Sequence, residues 1–242
     1  MTDPVEGTWK GFTFKYIETE DIPKLYEHMR EAYFRDERTC ELSGYSDAYA
    51  EDIEKLYDAV LAWGERLSFI AVDSANGKVR QKYNLFWNKM YLIFDFFPKV
   101  AGVRLTNTMN KYTSFAHMKF QTKAMNTFLT LCNESNEKAD VFNKFGVDSY
   151  AFYLSASISR DYRNQGLASE MYRRSELLLK QRGFPLCTSV FTSPWTRKIA
   201  TNRGFTELSR VYHKDLKDKD GNQMLPNASD DDFGAVMALV LK

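Results

Sequence analysis

The chain has 242 residues, 33 Lys plus Arg against 32 Asp plus Glu, 44% hydrophobic residues and 12 Gly, the profile of a globular domain with a full core rather than of a disordered or low-complexity chain. A net charge of +1 supplies no global field to hold a polyanion, which argues against a dedicated nucleic-acid binder and leaves only a local basic pocket for phosphates. Cys40, Cys132 and Cys187 are odd in number, widely spaced and without a CxxC, which predicts reduced thiols in a cytoplasmic protein and neither a disulfide frame nor a zinc site.

The start, MTDPVEGTWKGF, carries acids and no apolar h-region, so no signal peptide is expected. Phe12 to Ile17 alternates as a strand, and Thr19-Glu-Asp-Ile-Pro-Lys opens a helix with a capping residue, early acids and Pro23 in the first turn. Ile22, Leu25, Met29 and Tyr33 fall at helical spacing. Ile53, Leu56, Val60 and Trp63 repeat that pattern in a second helix, predicted from about Asp47 to Glu65. Leu67 to Val72 and Val100 to Thr106 read as strands, and a long helix is predicted between about His117 and Asn133.

The second half is punctuated more sharply. Tyr150, Phe152, Leu154, Ala156 and Ile158 are expected to share one packed face of a strand, with Ser155, Ser157 and Ser159 on a small polar face. Arg163-Asn-Gln-Gly-Leu-Ala168 leads into a helix that Gly183 ends, and Leu186 to Phe191 is the next strand. Ser193-Pro194 reads as a helix start with Ser193 as cap, and Gly204-Phe205 closes that helix. Further strands are predicted near Leu208 to His213 and Ala235 to Leu241, across a polar loop that includes Asp230 to Asp232. With no linker and no internal repeat, residues 1–242 read as a single mixed α/β domain with a central sheet.

One motif carries chemistry. Arg163-x-x-Gly166-x-Ala168 stands between a strand and a helix, where first-turn backbone N–H groups are unpaired and suit phosphate oxygens. Gly166 allows close approach, Ala168 keeps the helix start uncluttered and Arg163 adds charge. Taken alone, the pattern reads first as a plain tight turn. It lacks the spacing of a Walker loop or a dinucleotide GxGxxG. His28, His117 and His213 stand at no ligand spacing, so no metal is expected.

A strand ending Ser-Ile-Ser, the RxxGxA turn, a helix, a strand, a Ser-Pro-Trp-Thr helix start and a terminal Gly-Phe resemble, in that order, the GNAT superfamily of N-acetyltransferases. The resemblance implies the GNAT fold, a mixed central sheet with a splayed strand pair and flanking helices. It implies acetyl-CoA as co-substrate, with Ile158 and Ser159 along the pantetheine. Arg163, Asn164, Gln165, Gly166, Leu167, Ala168 and Ser169 would then hold the pyrophosphate. A closer similarity is to the arylalkylamine N-acetyltransferases of insects and their relatives, through Tyr33-Phe34-Arg35-Asp36-Glu37 and the hydroxyls of Thr192, Ser193 and Thr196. It implies Glu37 as general base, although Arg38-Thr39-Cys40 stands where that family often has Pro-Leu-Asn.

The chemistry agrees with these roles. An amine of pKa ~10 is protonated at neutral pH and must lose a proton before it attacks a thioester. Glu37 can take it, the oxyanion needs a fixed donor such as a backbone N–H of the splayed strand, and Ser193 or Thr196 can relay a proton to the leaving thiolate. The competing readings are a solvated charge for Glu37 and a simple helix cap for Ser193. Tyr26, Tyr33, Phe34, Tyr45, Tyr49, Tyr57 and Trp63 read as packing, with some lining an amine pocket. The expectation is direct acetyl transfer to a small primary amine by a monomeric cytoplasmic enzyme without nucleic-acid or membrane partners. Arylalkylamines of the dopamine, serotonin or tryptamine type come first and polyamine- or agmatine-like amines second. The rival is a non-catalytic acyl-CoA-binding module.

The segment from Val79 to Lys99, VRQKYNLFWNKMYLIFDFFPK, does not fit. It has seven aromatics but no Ala, Gly, Ser, Thr or Glu, and it is too short and too interrupted by Asn88, Lys89 and Asp95 to span a membrane. Excising it joins Ser68 through Lys78 to Val100, giving strand, Asn-Gly turn and strand. Val-Arg can encode a GTNAGN donor site, Phe-Phe-Pro-Lys a pyrimidine tract ending in AAG, and the interior favours AT-rich codons. An in-frame retained intron is the expectation, with an inserted lid or interface hairpin as the alternative.

Overall fold

The computed structural model describes residues 2–45, 50–62, 65–86, 89–112 and 118–241; for residues 50, 74–86 and 89–98 it describes only the path of the backbone. The strands are β1 (Gly7–Trp9), β2 (Phe12–Tyr16), β3 (Phe69–Phe86), β4 (Lys89–Asn110), β5 (Ser149–Ile158), β6 (Leu186–Phe191), β7 (Thr206–Tyr212) and β8 (Phe233–Val240). They form one eight-stranded sheet in the order β1-β2-β3-β4-β5-β6-β8-β7. The β5–β6 pair is parallel and all other neighbours are antiparallel. A parallel pair requires a crossover, and α6 (Leu167–Gln181) supplies it.

On one face lie α1 (Ile22–His28), α2 (Arg38–Leu42), α3 (Ala50–Leu61) and α4 (Lys123–Ala139), whose Leu25, Cys40, Tyr57 and Met125 pack with Val103 and Phe152 of the sheet. On the other lie α6 and α7 (Pro194–Asn202), whose Met171, Leu178 and Ala200 pack with Ala101, Ala151 and Ala235. A short α5 (Val141–Phe145) leads into β5. Arg104 is buried on the α6 side with its guanidinium 4.3 Å from the Tyr153 ring centre and 4.1 Å from that of Tyr172. Desolvated cation–π contacts of this kind are worth about 2 kcal/mol.

Several boundaries differ from expectation for physical reasons. The first helix is three pieces: a 3₁₀ turn at Thr19–Asp21, α1, and a π-helical turn at Met29–Phe34. Its start is capped not by Thr19 but by Glu18, whose backbone N–H donates to Asp21 Oδ2 at 3.2 Å. The second helix, expected from Asp47 to Glu65, runs over Ala50–Leu61. Asp47, Tyr49 and Trp63 lie outside the described residues, and Glu65 is already non-helical. The helix predicted from His117 begins at Lys123, where the Thr122 hydroxyl caps Met125 N; His117 lies outside the described residues.

The largest difference concerns β5. Leu105 pairs with Ser155 and Thr106 with Tyr153, so Leu154 stands opposite no residue of β4. This β-bulge reverses the phase of the strand. Tyr150, Phe152 and Leu154 pack toward the N-terminal helices, whereas Ile158 packs on the α6 side. Ser155 and Ser157 are buried, not a solvated polar face.

Gly102 on β4 allows α6 to approach the sheet. A Cβ there would lie 2.7 Å from Met171 Sδ and 2.8 Å from Ile158 Cδ1. Gly102→Ala is therefore expected to destabilise the protein by about 1–3 kcal/mol through overpacking, measurable as a lowered midpoint in urea unfolding.

Candidate active site

The site is built where β5 and β6 part. Their ladder has two pairs, Ala151↔Cys187 and Phe152↔Thr188. Ser189 Oγ then donates to Tyr153 O at 2.7 Å, and no further ladder pair joins the two strands beyond it. Leu154 therefore lies past the last β5–β6 pair and opposite no residue of β4, a feature that alternation alone could not reveal.

At the mouth of the splay the chain turns through the 3₁₀ turn Arg160–Tyr162 into α6. Gly166 is the N-cap, at φ 83, with no side-chain capping hydrogen bond. The left-handed conformation favours glycine, and the Trp9 ring lies 3.5 Å from where a Cβ would sit. First-turn N–H groups of Leu167, Ala168 and Ser169 are thus without a side-chain cap, as an anion site requires. Asn164 is also left-handed, at φ 61. Gln165 reaches back to Asp161 O at 3.2 Å.

Arg163 donates from Nε to Ile158 O at 3.1 Å, and its Nη2 pairs with Asp36; Arg160 also pairs with Asp36, at 2.5 Å. Burial alone would raise the Asp36 carboxyl, but the hydrogen bonds from Arg160 and Arg163 outweigh it and hold the pKa below the usual range. Next in sequence, Glu37 is only 5% exposed, which overturns the solvated-charge alternative. It is the N-cap of α2: Oε2 accepts from Cys40 N at 2.7 Å and Oε1 from Thr39 Oγ1 at 3.0 Å. Thr39 Oγ1 lies 2.8 Å from His213 Nε2. Since Thr39 gives its proton to Glu37, it accepts from an Nε2–H of His213. Burial lowers the His213 pKa, in keeping with the neutral form. Arg38 completes the segment by pairing with Asp232 at 2.7 and 3.2 Å.

Ser193 is the N-cap of α7 by conformation, yet its hydroxyl makes no capping bond, contrary to the cap expectation. Thr196 Oγ1 instead donates to Ser193 O at 3.0 Å. Arg197 reaches Phe191 O and Phe233 O at 3.3 and 3.4 Å, so this turn and the Glu37 segment are tied to the adjacent residues Phe233 and Asp232. Cys187 is buried core, as expected, and the three cysteines are unpaired. Phe34 packs against Tyr33, Tyr45 and Tyr57 with ring centres 5.0 to 6.1 Å apart. Among the described residues no group of His, Cys, Asp or Glu could hold a metal ion, and no helix is long and apolar enough to cross a membrane.

Missed by sequence reasoning were His213, Thr39 and a second buried cluster around His28. His28 Nε2 lies 3.0 Å from Ser157 Oγ, and its Nδ1 lies 3.2 Å from Val100 O and 3.1 Å from Ser159 Oγ. Ser159, expected beside the pantetheine, is thus 9% exposed and hydrogen-bonded internally, also donating to Val100 O at 3.1 Å.

No protein-family model and no curated protein sequence matches the chain. Solved structures do. Arylalkylamine N-acetyltransferase 2 from Aedes aegypti superposes with TM-score 0.74 at 19% identity, over 96% of this chain and 100% of that one. A mosquito arylalkylamine N-acetyltransferase-like 5b gives 0.76 at 18%, over 95% and 100%. A Drosophila melanogaster polyamine N-acetyltransferase that forms N-acetylagmatine gives 0.66 at 13%, over 95% and 100%. The chain has the fold of the GNAT N-acetyltransferases, as its sequence motifs imply.

Burial pushes the His28 pKa down to about 4, with Lys99 and Arg163 adding to the effect and the Val100 carbonyl opposing it. A depressed histidine favours the neutral fold, because below about 6.5 the unfolded chain takes up a proton that the folded chain refuses. Stability is therefore expected to fall by about 3 kcal/mol as pH drops from about 6.5 through about 4, and His28→Gln should flatten that part of the curve in urea titrations.

Proposed function

We propose that this chain is an acetyl-CoA-dependent N-acetyltransferase that acetylates a small primary amine by direct transfer. The observation that carries this is the Asp36-Glu37 step, which joins a buried, oriented carboxylate to the arginines of a glycine-capped α6 at the mouth of a splayed strand pair.

The fit to acetyl-CoA rests on the uncapped first turn of α6, Gly166 at positive φ and Arg163 beside it. Arg163, Asn164, Gln165, Gly166, Leu167, Ala168 and Ser169 would hold the pyrophosphate, with Ile158 and Ser159 beside the pantetheine. When bound, acetyl-CoA supplies the activated acetyl thioester. Glu37 accepts the proton from the amine nitrogen. Cys40 N–H and Thr39 O–H fix its two oxygens, and His213 fixes Thr39. Leu154 offers a backbone N–H toward the acyl oxygen. Ser193, whose hydroxyl is not used as a cap, relays a proton from water to the departing sulfur, receiving one as it gives one, and Thr196 positions its turn.

An arylalkylamine is the preferred acceptor, because Tyr33, Phe34, Tyr45 and Tyr57 cluster next to this segment. We place the protein as a monomer in the cytoplasm, a setting that suits three unpaired buried thiols.

Thiol release from acetyl-CoA is tested with tryptamine, serotonin, dopamine, agmatine and spermidine. Release that depends on the arylalkylamines supports the proposal, and CoA binding without amine-dependent release would make the chain a binding module. Glu37→Gln is expected to lower kcat/KM by about 10²-fold or more with CoA affinity unchanged; undiminished turnover would return Glu37 to a purely structural cap. Arg163→Ala should weaken acetyl-CoA about 10- to 100-fold, the equivalent of a charge-assisted contact of about 1.5–3 kcal/mol. Gly166→Val should weaken it comparably, by straining the turn. Calorimetric affinities equal to the parent's in both variants reject the phosphate cradle.

A further inference from the structure

We propose that residues 79–99 are a cassette foreign to the working fold, the translation of an in-frame retained intron, and that the acting protein is the 221-residue chain left when these 21 of the 242 residues are removed.

The sheet register carries this. Proximal to the sheet, Phe69 to Asp73 of β3 pair with β2 on one side and with β4 on the other, ending at Asp73↔Lys99. Beyond that point the ladder breaks and resumes only at Lys78↔Phe97, continuing to Phe86↔Lys89. Among the described residues this distal arm has no strand alongside it: β2 pairs with β3 no further than Asp73, and β5 pairs with β4 only from Gly102 onward. A two-stranded ribbon standing alone is marginal in water. None of the residues assigned above to the site lies in it.

The break itself is informative. Ser74 to Gly77 on β3 stand opposite Pro98 alone. Four residues against one is not a regular bulge, which opposes two to one. It is what remains when a hairpin loop is split and a second hairpin inserted. Ser74-Ala75-Asn76-Gly77 has the composition of a type I turn, with Ser first and Gly fourth, and four-residue hairpin loops are most often built on that turn.

Removal closes the sheet in register. Lys78-Val79 and Lys99-Val100 are the same dipeptide, so deleting 78–98 or 79–99 yields one identical chain. In that chain Lys78 precedes Val100 and takes the place of Lys99 opposite Asp73, with Ser74 to Gly77 as the loop. The substitution is lysine for lysine. The contacts of Lys99, an ion pair with Asp161 at 2.5 Å and a position 5.5 Å from the Tyr162 ring centre, pass to Lys78 unchanged. Val100, whose carbonyl meets His28 and Ser159, keeps its partner Val72. An arbitrary insertion would not place a lysine at both ends of the segment. A duplicated boundary compatible with donor and acceptor splice signals does.

The test is to sequence transcripts across the codons for residues 70–105 and to compare purified 242- and 221-residue chains by thermal unfolding and CoA binding. Transcripts lacking the 21 codons are expected, with the shorter chain melting at or above the longer one, binding CoA at least as tightly and giving more soluble monomer. Within the shorter chain Gly77→Val should lower Tm by about 2–4 °C, because valine replaces the residue favoured at the fourth position of that turn. Transcripts that uniformly carry the segment, or a shorter chain that melts lower or binds CoA more weakly, overturn the proposal and make 79–99 a functional part of the fold. These readouts do not depend on which amine, if any, is acetylated.

Discussion

A carboxylate that is almost out of water must find donors, and the way Glu37 finds them organises one side of this molecule. Breaking any of its bonds would leave an uncompensated buried charge, costly by several kcal/mol. The chain answers with four consecutive residues aimed in four directions. Asp36 reaches Arg160 and Arg163 before α6, Glu37 turns inward, Arg38 takes Asp232 at the start of β8, and Thr39 takes His213 at the end of β7. Two ends of the fold, the crossover helix and the last hairpin, are thereby fastened to one short segment. The π-helical turn at Met29–Phe34 delivers that segment, and such turns are frequent where a helix must re-aim its end.

The same segment links the two halves of the site electrostatically. Two guanidinium groups face one Asp36 carboxylate, so the turn keeps a surplus of positive charge while its arginines are held in place. An anion arriving at the α6 N-terminus meets Arg163 already anchored to Ile158 O and competes only with an ion pair near the surface, where such pairs are worth little. Holding the arginine in advance lowers the ordering cost of binding. It also means that the residue holding both arginines and the buried Glu37 are neighbours along the chain, a link visible in the sequence Asp36-Glu37 only after the partners of Asp36 are known.

What was legible in the sequence was whatever depends on local chemistry. Gly166, Gly183 and Gly204 mark helix ends where positive φ is needed, and all three adopt it. Pro23 and Pro194 mark first turns. Strands β2, β6 and β8 followed from alternation or β-branched runs. What was not legible depends on distance. His213 lies 174 residues from Thr39 and His28 lies 129 from Ser157, and no periodicity relates them. Glu37 looked like part of a solvated Arg-Asp-Glu-Arg run because sequence cannot tell which members of a charge cluster turn inward. Helix α2 was invisible for a related reason: five residues give no period, and its start is set by the Glu37 side chain itself.

The bulge at Leu154 shows most sharply why pattern reading stops where function begins. Alternation from Tyr150 to Ile158 is perfect on paper, yet one unpaired residue reverses the faces halfway along. Before it, the large side chains Tyr150 and Phe152 fill the core beneath the N-terminal helices; after it, the small Ser155 and Ser157 occupy that side. Continued regular pairing would instead have left Leu154 paired with β4 and sent Ile158 toward the N-terminal helices. With the bulge, bulk gives way to small buried hydroxyls where the β5–β6 ladder ends. His28 then binds Ser157 and Ser159 and ties that end of β5 to α1. The residue that breaks the sequence rule is the one that frees backbone from the ladder. A strand that obeyed the alternation throughout would have kept Leu154 in the β4 ladder and Ile158 beneath the N-terminal helices.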